Sequence, residues 1–177
     1  MSLLTNENST LLWHDVIKHA EYRSSISLKE DLETYLVSLL IRYTNKPEIA
    51  KTIVATKFLE AMQQHEFQRN SSLRIVGDDC LIYAGLFPKL AEKRHVKLGY
   101  FINLGRSAYA AITGTANDLY STIAIQFVSM MDVLQSIPES STLLPLEAFE
   151  LWEESGSQRA FRILQGYSSS LPLGKYK

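Results

Sequence analysis

The stretch from residue 71 to 86 limits what this chain can fold into more than any other. Leu73, Ile75, Val76, Cys80, Leu81, Ile82, Tyr83, Ala84 and Leu86 fall on every side of a helical projection. A helix that is apolar all round belongs in an interior. Read as a strand, Ile82-Tyr83 would need a neighbour with period-two alternation, and none lies nearby. The stretch is therefore expected to be a buried central helix, broken by Gly85 and Pro88.

Amphipathic segments surround it. Leu12, Val16 and Ala20 space a first helix over about residues 10–22, interrupted by Ser24 and Ser25. Ser27 and Glu30 read as a capping box opening a second helix, striped by Leu32, Tyr35, Leu36, Leu39, Leu40 and Tyr43. Pro47 suits the first position of a third helix reaching about Gln64, and 65–70 reads as a connection. A fifth helix is expected over 98–112, stopped by Gly114. A sixth, capped at Thr115 or Asn117, carries Leu119, Ile123, Phe127, Met130 and Leu134. Pro145 opens a short helix that Gly156 stops, and Ser157 caps a last one with Phe161 and Leu164. The pattern predicts an all-α, single-domain bundle of about seven helices over residues 1–167, with 168–177 a frayed tail.

Composition narrows the function classes. With 46% hydrophobic and 21% charged residues among 177, the chain can fold around its own core without disulfide or metal. Eighteen basic residues face nineteen acidic ones, and the densest basic group, Lys89, Lys93, Arg94 and Lys97, is diluted by Glu92. No nucleic-acid partner is expected from that balance. No run reaches the roughly 18 apolar residues of a membrane span. Residues 1–10 lack the charged start and apolar run of a signal peptide, and Cys80 is the lone cysteine. A reducing, cytoplasmic location is the expectation.

No catalytic motif stands out. His14 and His19, five apart, point about 140° from each other on a helix and cannot share a metal. His65 and His95 have no ligand spacing either, so no metal and no cofactor is expected. Cys80 follows two aspartates among apolar neighbours and reads as a packed thiol. There is no phosphate-cradling glycine loop and no nucleophile elbow.

The exception is Gly77-Asp78-Asp79. A carboxylate removed from water is costly unless paired and hydrogen-bonded. Arg74 stands four residues before Asp78. Arg106, after Gly105 in the fifth helix, is the preferred partner, because its guanidinium can grip a carboxylate with two bonds. Tyr83, with Tyr109 or Tyr100, would complete a polar cluster, and Gly77, Gly99 and Gly105 would let helices approach closely. The structural reading is an ion pair fixing a helix crossing, and it outweighs the functional reading of a pocket with acid, base and anion-holding groups.

The segments Val76-Gly77-Asp78-Asp79-Cys80-Leu81-Ile82-Tyr83-Ala84-Gly85-Leu86-Phe87-Pro88 and Leu104-Gly105-Arg106-Ser107-Ala108-Tyr109, with Gly99-Tyr100-Phe101 and Trp152 before Gly156-Ser157, resemble a family of bacterial hypothetical proteins without an assigned activity. The resemblance covers about residues 27–164. It implies a bacterial origin and a cytosolic location, and it carries over no catalytic residue. Two function classes follow from the sequence. One is a helical protein-interaction or regulatory module, acting as a homodimer or on a protein partner. The other is a small-molecule-binding protein or enzyme built around Asp78, Asp79 and Arg106. The absence of a catalytic arrangement favours the first.

Overall fold

A computed structural model describes residues 2–44, 54–89, 96–114, 117–139 and 143–167. Among these the chain is all-helical, with nine helices where the periodicity predicts about seven. They are α1 (Ser2–Ser24), α2 (Glu30–Thr44), α3 (Val54–Met62), α4 (Glu66–Leu86), α5 (Leu98–Ala110), α6 (Asn117–Ile125), α7 (Phe127–Gln135), α8 (Pro145–Ser155) and α9 (Gln158–Tyr167). The expected cap at Thr115, the start of a helix at Pro47, the basic residues Lys93 and Arg94, and the tail 168–177 lie outside the described residues.

The central helix differs in extent from its expectation. α4 begins at Glu66, so the polar run read as a connection is its first turns. Residues 66–68 are exposed, while every residue from 76 to 85 is buried. A polar segment carries no apolar period, yet it costs a helix little when its side chains stay in water. The buried half packs against α3, α5 and α7, and α1 packs on α2 and α7. α8 and α9 pair with each other.

Small residues let α4 approach its neighbours. A Cβ on Gly77 would stand 2.7 Å from the Tyr109 ring, and one on Gly105 would stand 2.6 Å from Phe127 and 2.8 Å from Cys80. α4 and α5 therefore cross with backbone against side chain at Gly77 and Gly105, as expected of those two; Gly99 instead faces Glu154 of α8. The expected sixth helix is two, broken at Gln126, whose φ of −92° and ψ of 11° interrupt the α geometry. The break comes just before Phe127, whose ring fills the space at Gly105.

Helix ends show where local signals succeed and fail. α1 closes with Ile26 N–H donating to Glu21 O and Ser25 N–H to Tyr22 O, a Schellman arrangement with Ser25 at φ 52°. The capping box at Ser27 does not form in the expected register. α2 starts three residues later, where Lys29 O accepts from Glu33 N–H. Between the two helices, Leu28 N–H donates to the buried Glu21 carboxylate at 2.6 Å, which ties the connection back to α1. At the other end of the chain Gly156 adopts φ 72°, and Ser157 Oγ accepts from Ala160 N–H at 3.1 Å, as expected of that break and cap.

Candidate functional site

The acidic pair is buried, at 8% exposure for Asp78 and 4% for Asp79. The two side chains diverge, because successive residues on a helix turn by about 100°. Asp78 faces α2 and α5. Tyr35 Oη donates to its Oδ1 at 2.5 Å, and Tyr109 Oη donates to the same oxygen at 2.7 Å. Arg42 stands 3.2 Å from Oδ2 as an ion pair. Asp79 faces α3, where Lys57 Nζ lies 3.1 Å from Oδ2.

Burial pushes the Asp78 carboxyl up from its ordinary range, against the pull of Tyr35, Arg42, Tyr109 and Arg74. Burial raises Asp79 in the same way, opposed by Lys57. Desolvation, reinforced by Asp78, drives the Tyr35 and Tyr109 hydroxyls upward. Both phenols therefore stay protonated and act as donors. This arrangement solvates a carboxylate with fixed dipoles; it contains no base placed to activate a nucleophile.

The rings around Asp78 form one cluster. Tyr35 meets Tyr109 and Tyr120 edge-on, each at 6.1 Å between centroids, and Tyr109 stacks on Tyr120 at 6.1 Å. Arg42 lies over the Tyr35 ring at 5.8 Å. Tyr120 carries the cluster outward to α6, where it shares with Arg74 the lining of a cavity of about 580 Å³. Desolvation opposes charge on Arg74, but Asp78 and then Tyr120 outweigh it and raise its pKa.

Of the residues singled out from sequence, the structure joins Asp78 and Tyr109 in one network. It excludes Arg106, which is exposed. The reason is angular: Gly105 and Tyr109, four apart, share the inward face of α5, and Arg106 turns away from both. Arg42 is the nearby cation in place of Arg106, through one ion-pair contact and not the expected two-bond grip. Tyr83 belongs to a different layer, stacked on Phe101 at 5.2 Å. Cys80 is buried, and burial pushes its thiol up, consistent with a packed and unreactive side chain.

Sequence reasoning missed Tyr35 and Arg42 as partners. They stand seven apart on α2, on the same face, so the helical period carried a signal. It also missed the buried acid Asp132. Ser157 Oγ donates to its Oδ1 at 2.6 Å, and Arg159 N–H donates to Oδ2 at 3.3 Å. Arg159 also donates to Gln135 Oε1 at 3.0 Å, and Gln135 donates to Ala84 O at 2.9 Å. Burial raises the Asp132 carboxyl to about 6.

Among the described residues no group of three or more His, Cys, Asp or Glu side chains is placed to hold a metal. No helix among them is long and apolar enough to cross a membrane. No family model, no curated protein and no solved structure matches the chain.

Proposed function

We propose that the chain binds a small organic anion in the cavity between α4 and α6. The observation that carries this reading is the cavity itself. Its volume of about 580 Å³ falls in the size range of small-ligand sites, and a guanidinium, Arg74, lines it. Phe67, Ile112 and Tyr120 supply apolar and aromatic walls for the body of such a ligand. Glu66, the carboxylate in the lining, is held by Thr113 Oγ1 at 3.1 Å. The Asp78 network stands behind Arg74 and Tyr120 as a support that fixes them, and takes no part in chemistry. The reading is binding, not catalysis.

Thermal unfolding with benzoate, phenylacetate and hexanoate tests it. At least one should raise the Tm in a saturable way. Arg74→Gln should abolish that rise, and Phe67→Ala should weaken it. If none of the three shifts the wild-type transition, or if Arg74→Gln responds equally, the reading fails.

A second reading is a helical interaction module that self-associates or meets a protein partner. It is favoured by Leu59, Met62 and Phe67, which are exposed where α3 meets α4. Native mass spectrometry would reveal a dimer, and Leu59→Lys should then dissociate it. A strictly monomeric protein at all accessible concentrations speaks against self-association.

A further inference from the structure

A different pocket lies where the ends of α1 and α7 meet α9. It has a volume of about 350 Å³ and is lined by Arg23, Arg159 and Arg162, with Glu139 the carboxylate in the lining. Of these three, Arg159 is buried and its guanidinium donates to Gln135 Oε1 at 3.0 Å, while Arg23 and Arg162 are exposed at the opening. Arg23 donates through Nε to Ser136 O at 2.8 Å and through a terminal nitrogen to Ile137 O at 2.7 Å. Arg162 donates to Ser24 O. These acceptors are carbonyls at the C-terminal ends of α7 and α1, each helix end carrying about half a negative charge. Asp132 lies behind Arg159 and accepts its backbone N–H.

The arginines could serve as helix caps alone, and a cap explains why each is held. It does not explain why Arg23 and Arg162 share one opening with the buried Arg159 beside them. A guanidinium has five N–H donors. The carbonyls take two from Arg23 and one from Arg162. Among the described residues the caps thus fix the two planar groups at the pocket wall with hydrogens to spare, which is preorganisation for a tetrahedral oxyanion. Ser24 Oγ and Ser136 Oγ donate to Glu21 O and Asp132 O, leaving the arginines as the recognising groups.

We propose that this pocket binds the phosphate group of a soluble phosphate compound, gripped chiefly by Arg23 and Arg162 with Arg159 supplying charge from behind. The site is separate from the α4–α6 cavity and does not depend on it.

Calorimetric titration of the full chain with inorganic phosphate and with glycerol 3-phosphate tests the proposal, with chloride at matched ionic strength as control. Both should bind saturably at one site. Arg162→Gln should weaken binding at least tenfold, and Arg74→Gln should leave it unchanged. Because Arg162 also caps α1, Arg162→Lys and Arg23→Lys are measured alongside, with far-ultraviolet circular dichroism and Tm. Each keeps a charge but loses the planar fork, and each should weaken binding several-fold in a folded protein. The proposal is overturned if wild type binds neither phosphate, if both lysine variants bind as wild type does, or if Arg74→Gln abolishes binding. Vesicles containing phosphatidic acid separate a headgroup from a soluble ester: sedimentation with vesicles, without titration by glycerol 3-phosphate, also overturns it.

Discussion

Two buried aspartates solve the same problem by different means. Asp78 is surrounded by side chains from other helices: two phenols on one oxygen and Arg42 on the other. Asp132 is met by the start of α9, through the Ser157 hydroxyl and the Arg159 backbone N–H. The first network ties together α2, α4 and α5, segments distant in sequence. The second ties α7 to the first turn of one helix, where N–H groups stand ready to receive an anion. Asp78 thus depends on side chains that mutation can remove one at a time. Asp132 leans partly on backbone that mutation cannot delete.

The largest effect that separates them is deletion of each carboxyl. Asp78→Ala leaves two buried phenol hydroxyls and Arg42 without their acceptor, and should cost about 3–4 kcal/mol by denaturant unfolding. Asp132→Ala orphans the Ser157 hydroxyl and the Gln158 and Arg159 N–H groups at a helix start, where the chain has its own N-terminal geometry, and should cost about 1–2 kcal/mol. Equal losses would break the distinction between side-chain and backbone support.

The next effect is one of pH. The folded carboxyl of Asp132 lies at about 6, and the unfolded one near 3.9. Between those values the folded state holds the extra proton, so stability falls as pH rises through the window. The contribution is fully present below about pH 4 and gone above the folded value, a change of about 3 kcal/mol. Burial raises Asp78 too, in the same direction, so wild type must be compared with Asp132→Asn. The stability difference between them should shift against wild type from pH 4 to pH 6 and then level off. A difference that stays flat across this window would mean that Asp132 is ionised throughout.

These two acids also show what could be read from the chain alone. A carboxylate in a segment apolar all round must be buried, and that argument located Asp78 and Asp79 correctly. The same argument applies to α7, where residues 130–135 are all buried around Asp132. There the stripe from Leu119 to Leu134 reads as one amphipathic helix, on which Asp132 stands among its polar residues. The break at Gln126, which changes the facing of everything after it, has no glycine or proline to announce it. The start of α4 is hidden for the opposite reason: the mostly polar residues 66–70, of which 66–68 are exposed, carry no period. Partners were less legible than burial. Sequence can say that Asp78 needs a donor, but choosing among arginines depends on how helices cross, which local spacing does not contain.

Smaller effects test how the Asp78 network shares its load. Tyr35→Phe and Tyr109→Phe each remove one donor to the same oxygen and should cost about 1–2 kcal/mol. Because both hydroxyls serve Oδ1, the double variant should cost less or more than the sum by a measurable coupling, about 0.5 kcal/mol or beyond. Strict additivity would mean that the two phenols act independently, and that Asp78 is not a single shared centre.

The smallest effect concerns the cation. Arg42 is 40% exposed at its side chain, so water already screens its charge, and the pair with Asp78 cannot carry the full value of a buried ion pair. Arg42→Gln should cost about 1 kcal/mol, part of it from lost contact with the Tyr35 ring. Arg106→Gln, on the exposed side of α5, should change stability by less than about 0.5 kcal/mol. The two substitutions remove the same group from helices that both contribute a tyrosine to Asp78, so their ratio reads facing alone. If Arg106→Gln cost as much as Arg42→Gln, the inward face of α5 would have to be set by Arg106 and not by Gly105 and Tyr109. That would contradict the packing of the Tyr109 ring over Gly77, where a Cβ would stand only 2.7 Å from it, on which the crossing of α4 and α5 rests.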